Sequence, residues 1–328
     1  MTVPVDIRIA LLRQHGSFSQ AYSAALQPGL QHFGNRNGFL AYRVVGSTTM
    51  VLSDPVAPAD LHVELIARFL GEHSDVGFWQ ISRSVAEILA SRGFFINEIG
   101  PENRIDLAAY DFSGREKRNL RNALNRLIKS GHIIKEASIG EVGEDRVRMV
   151  SESWRQMHTV RNREVAFLSR PMVIGEELDI RTIFTFGPDG NLVAFAVYDP
   201  IYECGQVVGY TAQHSRHRTD ADSLVQTAMR RFAIERFKAE GKKCLFLGLA
   251  PLASIDDKDF LPYRNWLVRR SFRFAYESGL FNRYIYPLKA IHAHKRQFRG
   301  STDQTYYAFN RTPSLPRLIK VLRACGLF

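Results

Sequence analysis

Cysteine is scarce in this chain. Cys204, Cys244 and Cys325 are the three in 328 residues, and no two form a CxxC pair. That spacing argues against a disulfide framework or a zinc ribbon, and it predicts a reducing cytosolic setting with no metal. Long apolar runs are also missing. No stretch reaches the ~18–20 residues needed to cross a bilayer, so no spanning helix is expected. The first residues, Met1 to Asp6, lack the basic and apolar regions of a secretory leader, and none is expected there. Walker A, GxGxxG, HExxH and GxSxG signatures are absent. The loop after Tyr210 lacks the glycine-rich pyrophosphate cradle of acetyl-CoA-using enzymes, and no cofactor is expected. Acidic residues are in deficit, with 33 Asp and Glu against 44 Lys and Arg, for a net charge of +11. An excess of that size favours a polyanionic partner, either nucleic acid or an anionic membrane surface. The plainer reading is a soluble protein that is simply basic.

What is present is a globular α/β pattern. With 45% hydrophobic residues the chain can bury a sizeable core, and its length favours two domains. Residues 38–45 and 48–52 read as a hairpin that closes at a Ser53-Asp54-Pro55 turn. Residues 59–72 carry helical spacing, 78–81 a buried strand, 85–92 a short helix, and another short strand begins at Ile105. The second half repeats the order, with a hairpin at 182–186 and 192–198, a strand at 207–211, a helix over 222–240 and a strand over 244–249. The repeated order predicts two similar α/β lobes, with the boundary near residues 110–145. Between them, residues 113–129 read as a helix with Leu120, Leu124, Leu127 and Ile128 on one side. Arg118, Arg121, Arg126 and Lys129 occupy its other sides, as a phosphate-binding face or as a solvated linker. In the apolar run Phe246 to Ala253, Gly248 allows another backbone to approach closely and Pro251 ends the ladder.

Five blocks in order, from about residue 30 to 310, resemble one known family. They are Gly38 to Arg43 running to Ser53-Asp54-Pro55, Lys117 to Ala123 running to Gly131, Arg163 to Phe167, Leu247 to Leu252, and the tail containing Tyr286, Leu288, His294-Lys295, Phe298 and Tyr307. The chain thus resembles the synthase domain of the multiple peptide resistance factor family, the phosphatidylglycerol lysyl- and alanyltransferases. The resemblance implies tandem GNAT-like acyltransferase lobes, each a mixed twisted sheet flanked by helices. It implies an N-terminal lobe at 1–112, a basic connecting helix at 113–135 and a C-terminal lobe at 136–328 that carries the active site. It also implies transfer of an aminoacyl group from aminoacyl-tRNA to an anionic membrane lipid, by a protein peripheral on the cytosolic face of the inner membrane. The family's larger members add a multi-helix flippase, and this sequence resembles the synthase part alone. Two departures stand out. Gln213-His214-Ser215-Arg216 occupies the place of the family's Asp-x-x-Arg, keeping the Arg and losing the Asp, and His294 stands where the family often has Phe.

Acyl transfer from an ester needs a base for the attacking hydroxyl, donors for the oxyanion and a proton for the leaving ribose. Lys295 could stabilise the oxyanion or hold a phosphate, or be a surface lysine. Arg216, just beyond a strand end, could face a cleft or form a surface ion pair. His214 suits acid–base work because histidine titrates near neutrality, although a lone histidine is more often structural. Glu164 could bind the donor's α-amino group or orient a base, or merely pair with Arg163. Arg118, Arg121 and Arg163 are candidates for tRNA or lipid phosphate, Gln213 for the donor, and Tyr210 and Tyr307 for substrate hydrogen bonds or simple packing. Residues 313–323 read as an amphipathic helix, either interfacial or docked on the domain. Two rival functions remain: an N-acyltransferase using an acyl thioester, and a non-catalytic protein that binds RNA or membrane.

Overall fold

The computed structural model describes residues 3–156, 164, 166–256, 258–311 and 325. Helices α1 (Val5–His15) and α2 (Ala21–Leu26) precede three antiparallel strands, β1 (Gln31–Asn35), β2 (Gly38–Val45) and β3 (Thr48–Val56). Helix α3 (His62–Glu72) buries Leu65, Ile66 and Phe69 on one face, as its spacing requires, and leads into β4 (Val76–Ile81), every residue of which is buried. Helix α4 (Arg83–Ala90) starts where the Ser82 hydroxyl accepts the Val85 amide hydrogen bond, and β5 (Phe95–Asp106) follows.

The second half opens with α5 (Arg118–Lys129), β6 (Ile133–Glu136), α6 (Ile139–Val142) and α7 (Glu144–Gln156). Then come β7 (Arg181–Phe186), β8 (Leu192–Glu203), β9 (Gln206–His217), α8 (Val225–Ala239) and β10 (Cys244–Leu249). Three helices, α9 (Trp266–Glu277), α10 (Gly279–Tyr284) and α11 (Leu288–Arg296), lead to β11 (Ser301–Phe309).

All eleven strands form one sheet in the order β1-β2-β3-β4-β11-β5-β10-β9-β8-β7-β6. In each half a hairpin is followed by a helix and a strand that returns parallel, β3 to β4 through α3 and β9 to β10 through α8. This is the duplication that the sequence order predicts. The halves join where β5 pairs antiparallel with β10. The last strand crosses back: β11 lies between β4 and β5, antiparallel to both, inside the sheet of the first half. Buried aliphatic and aromatic side chains cover both faces of the sheet, and each large one contributes roughly 1.5–3 kcal/mol.

Two local expectations need correction. Ser53-Asp54-Pro55 is not a turn after β3 but part of it. Ser53 sits at φ +60°, the β2–β3 register shifts there, and Asp54 accepts the Ser82 amide hydrogen bond at 2.8 Å. Turn-type residues here build a bulge within a strand. Likewise Ile105 ends a long strand rather than beginning a short one. Gly100-Pro101 looks like punctuation, yet it lies within β5, where the register with β11 shifts. Gly100 takes φ +121°, and a Cβ there would lie 2.2 Å from the Ala250 carbonyl oxygen. That closeness lets the loop after β10 bond to β5: the Ala250 amide donates to Pro101 O at 2.8 Å and the Leu252 amide to Ile99 O at 2.7 Å. The amphipathic stretch 313–323 lies outside the described residues.

Candidate active site

A cavity of about 400 Å³ opens where the two halves meet. Most of its polar lining comes from strand positions and one N-terminal turn, Ser19, Gln20, Gln80, Glu102, Thr211 and Gln213, with Ser169, Ser271 and Tyr286 besides and Lys295 reaching in from α11. The helical side is largely apolar, with Phe272 and Ala275 of α9, Phe281 of α10, Ile285 and Leu288; Leu249 and Leu252 add to it from the loop after β10.

Lys295 donates to the Leu249 carbonyl at 2.5 Å. Burial and the positive charge of Arg230 push its amine down to about 7, against the opposing pull of Glu102. Burial pushes Glu102 up to about 7, while the Ser19 hydroxyl, which donates to it, and Lys295 act the other way. An amine and a carboxyl thus face one cavity with similar proton affinities. Arg230 is itself buried, and its Nη1 has no hydrogen-bond partner among the described residues. Burial, Arg230 and Lys295 together hold His294 down to about 4. Glu102 is the one carboxylate in the described lining.

Several lining amides and hydroxyls are buried without partners: Gln20 Oε1, Gln80 Nε2, Thr211 Oγ1 and Gln213 Nε2. Such groups cost free energy unless something else completes them. Gln80 also sits at φ +58°, in the left-handed region, and accepts from Gln20 Nε2 at 3.2 Å. On β9 the register with β8 shifts between Val197 and Tyr198, leaving Gln213 without a facing residue. This bulge turns the Gln213 side chain into the cavity. Gly248 takes φ +78°, and a Cβ on it would lie 3.3 Å from Lys295 Nζ. Here it is therefore the lysine head that approaches the glycine.

A family model described as "Phosphatidylglycerol lysyltransferase, C-terminal" matches residues 9–309. The chain belongs to this family. Among its relatives, phosphatidylglycerol lysyltransferase of Bacillus subtilis (strain 168) is 23% identical over 287 residues, covering 85% of this chain and 32% of the relative. The Staphylococcus xylosus phosphatidylglycerol lysyltransferase is 22% identical over 302 residues, covering 88% of this chain and 34% of the relative. The chain thus spans about a third of the length of these curated relatives. The solved structure of L-PGS from Bacillus licheniformis superposes with a TM-score of 0.80 at 20% identity, covering 98% of this chain and 96% of that one. The tandem GNAT-like α/β architecture expected from the sequence is therefore the fold of this lysyltransferase-family chain.

Of the residues singled out in the sequence of this family member, Lys295 and Gln213 line the cavity. Arg216 does not. It is buried and held in a two-pronged pair with Glu164, at 2.8 and 2.5 Å, donates to Ser151 Oγ, and stacks on Trp154 at 5.0 Å. His214 is half-buried beside the Arg170 and Pro171 carbonyls; desolvation, Arg216 and Arg170 keep its ring neutral, with its proton affinity well below the usual histidine range. Arg118 is exposed on α5, while Arg121 donates to the Phe112 and Gly114 carbonyls and braces the loop before that helix. Tyr210 stacks on Phe237 at 4.5 Å, and Tyr307 stacks at 3.8 Å on Trp79, whose ring reaches the cavity. Arg163 lies outside the described residues. Sequence reasoning missed Glu102, Ser19, Gln20, Gln80, Thr211 and Arg230. None left a trace in the sequence: even Glu102 stands in Gly100-Pro101-Glu102-Asn103-Arg104, which reads as a polar turn.

Among the described residues no group of His, Cys, Asp and Glu is placed to hold a metal ion. No described helix is long and apolar enough to cross a membrane.

Proposed function

We propose that this chain transfers an aminoacyl group from aminoacyl-tRNA to a hydroxyl of an anionic membrane lipid such as phosphatidylglycerol. One observation carries the reading: the cavity joins an apolar helical wall to the Lys295 amine, which feels the buried Arg230 behind it and shares the described lining with a single carboxylate. An acyl chain suits the first part and a phosphate the second. The family membership and the excess of positive charge support the same reading.

In the proposed reaction the lipid hydroxyl attacks the ester carbonyl of the charged tRNA. A new C–O bond forms, the C–O bond to the ribose breaks, and the hydroxyl proton ends on the ribose oxygen. Lys295 and Glu102 are the proton-handling pair, since near neutrality one can accept the hydroxyl proton while the other supplies one to the leaving oxygen. Gln20, Gln80, Thr211 and Gln213 offer their unpaired atoms to the donor's α-amino group and the lipid headgroup. Arg216, Glu164 and His214 act as positioning residues, fixing the end of β9 and hence the Gln213 bulge. Arg118 with Arg163, beside the loop that Arg121 braces before α5, serve the tRNA phosphates, while Tyr307 backs the Trp79 wall and Tyr210 packs behind β9 on Phe237. Because charged tRNA is cytosolic, the protein works at the cytosolic face of the membrane.

The test is to mix purified protein with a pool of charged tRNAs and phosphatidylglycerol liposomes, then weigh the extracted lipids by mass spectrometry. A lipid heavier by one aminoacyl residue is expected. No such product with any charged tRNA would overturn the proposal.

A further inference from the structure

We propose that the outer face of α9 and α10 is a docking surface for an anionic lipid bilayer. This rests on the lipid-handling reading of the cavity and names the surface through which the lipid reaches it.

Helix α9 has two distinct faces. Val268, Ser271, Phe272 and Ala275, at helical spacing, turn inward, and the last three line the cavity. Trp266, Arg270, Arg273 and Phe274 share the opposite face. Trp266 is 65% exposed and Phe274 is 72% exposed. Helix α10 repeats the division: Phe281 lines the cavity, while Leu280 points outward at 73% exposure. Every exposed large aromatic side chain among the described residues falls between Tyr263 and Tyr284. So much apolar surface in one place marks a binding surface rather than ordinary scatter.

Charge decides the occupant. Residues 266–284 contain four arginines, at 269, 270, 273 and 283, and one acidic residue, Glu277. Aromatic rings among arginines match the boundary of an anionic bilayer, where rings settle at headgroup level and guanidinium groups meet phosphate. The same helices present apolar side chains to the cavity on their other side. The outer face and the apolar wall of the cavity are thus two sides of the same two helices. Leu280 and Leu267 suit acyl chains and would be idle in stacking on nucleic-acid bases.

The experiment is co-sedimentation with vesicles of phosphatidylcholine alone and of phosphatidylcholine mixed with phosphatidylglycerol. Wild type is expected to bind the mixed vesicles about tenfold more tightly than the neutral ones. Phe274→Ser combined with Leu280→Ser is expected to weaken that binding by about tenfold, with thermal midpoint and activity on detergent-dispersed lipid unchanged. Arg270→Glu with Arg273→Glu is expected to erase the preference for anionic vesicles. Wild-type vesicle binding by both variants would overturn the proposal. So would variants that lose tRNA binding or self-association while still binding vesicles. Vesicle binding needs no turnover, so the two readings fail separately. Docking through this face without any lipid product sinks the transfer reaction alone, and lipid product with undiminished vesicle binding by the variants sinks the docking surface alone.

Discussion

Two cationic centres lie on the second half of this chain, Arg216 buried and Lys295 half-buried, and they are built differently. Arg216 meets Glu164 in a two-pronged pair, with Ser151 and Trp154 filling the rest of its surroundings. Its charge is answered by the protein itself through both Nη atoms, and only its Nε lacks a partner among the described residues. Lys295 is answered by a backbone carbonyl and by a carboxyl of similar proton affinity, and it stands beside Arg230, which adds to its burden. A charge already satisfied holds structure together, whereas a buried charge left wanting is available to a ligand. Both residues are basic side chains near strand or helix ends, so residue type alone does not separate them.

The sharpest way to break this contrast is Lys295→Ala. Aminoacyl transfer should fall by about a thousandfold with the protein still folded, read from single-turnover rates alongside a thermal melt. An equal fall in stability would put Lys295 with Arg216 instead. Arg216→Ala should do the reverse, lowering stability by about 3 kcal/mol in denaturant unfolding because it strands Glu164 and leaves a hole beside Trp154. At temperatures where that variant stays folded, KM should rise more than kcat falls, as expected of a residue that acts through the Gln213 bulge.

Glu102→Gln tests the proton side. In the folded chain Glu102 keeps its proton from its ordinary 4.5 up to about 7, so stability falls as pH rises through that window. Lys295 runs the other way: it releases its proton near 7 instead of 10.5, so stability climbs with pH above neutrality. The Gln variant should remove the fall in the lower window and, with the pull of Glu102 on Lys295 gone, start the upper climb at a lower pH, and its pH–rate profile should lose the limb that Glu102 supplies. A stability curve that still falls between these limits would show that another group is responsible. The mildest change is Gly248→Ala, which strains a left-handed backbone and crowds the Lys295 head. A loss of about 1 kcal/mol is expected, with a few-fold slower transfer.

Much of the fold could be read from the chain. The hairpin, helix and returning strand are written twice, because each depends on local periodicity and on turns a few residues long. The strand Cys244–Leu249 and the helix Val225–Ala239 lie where their apolar spacing predicts. The bulges at Ser53, Gly100 and Gln213 were not legible, since glycine, proline and serine read as chain reversals unless a neighbouring strand is known to continue past them. The site divides in the same way. The block resemblance pointed to Lys295 and Gln213, and both reach the cavity. It also pointed to Arg216, whose surroundings come from α7 and residue 164 and cannot be inferred from β9.

By itself the sequence determined the α/β class, the internal duplication, the family, and the basic character that any partner must meet. Those properties rest on composition and short-range pattern. Tertiary structure decided which charges are satisfied. It inserted β11 into the sheet of the first half, brought Glu102 of β5 within reach of Lys295 of α11, and turned Gln213 inward. Proton affinity and unfilled hydrogen bonds depend on which distant segments exclude water from the same few atoms, and only the packed chain settles that.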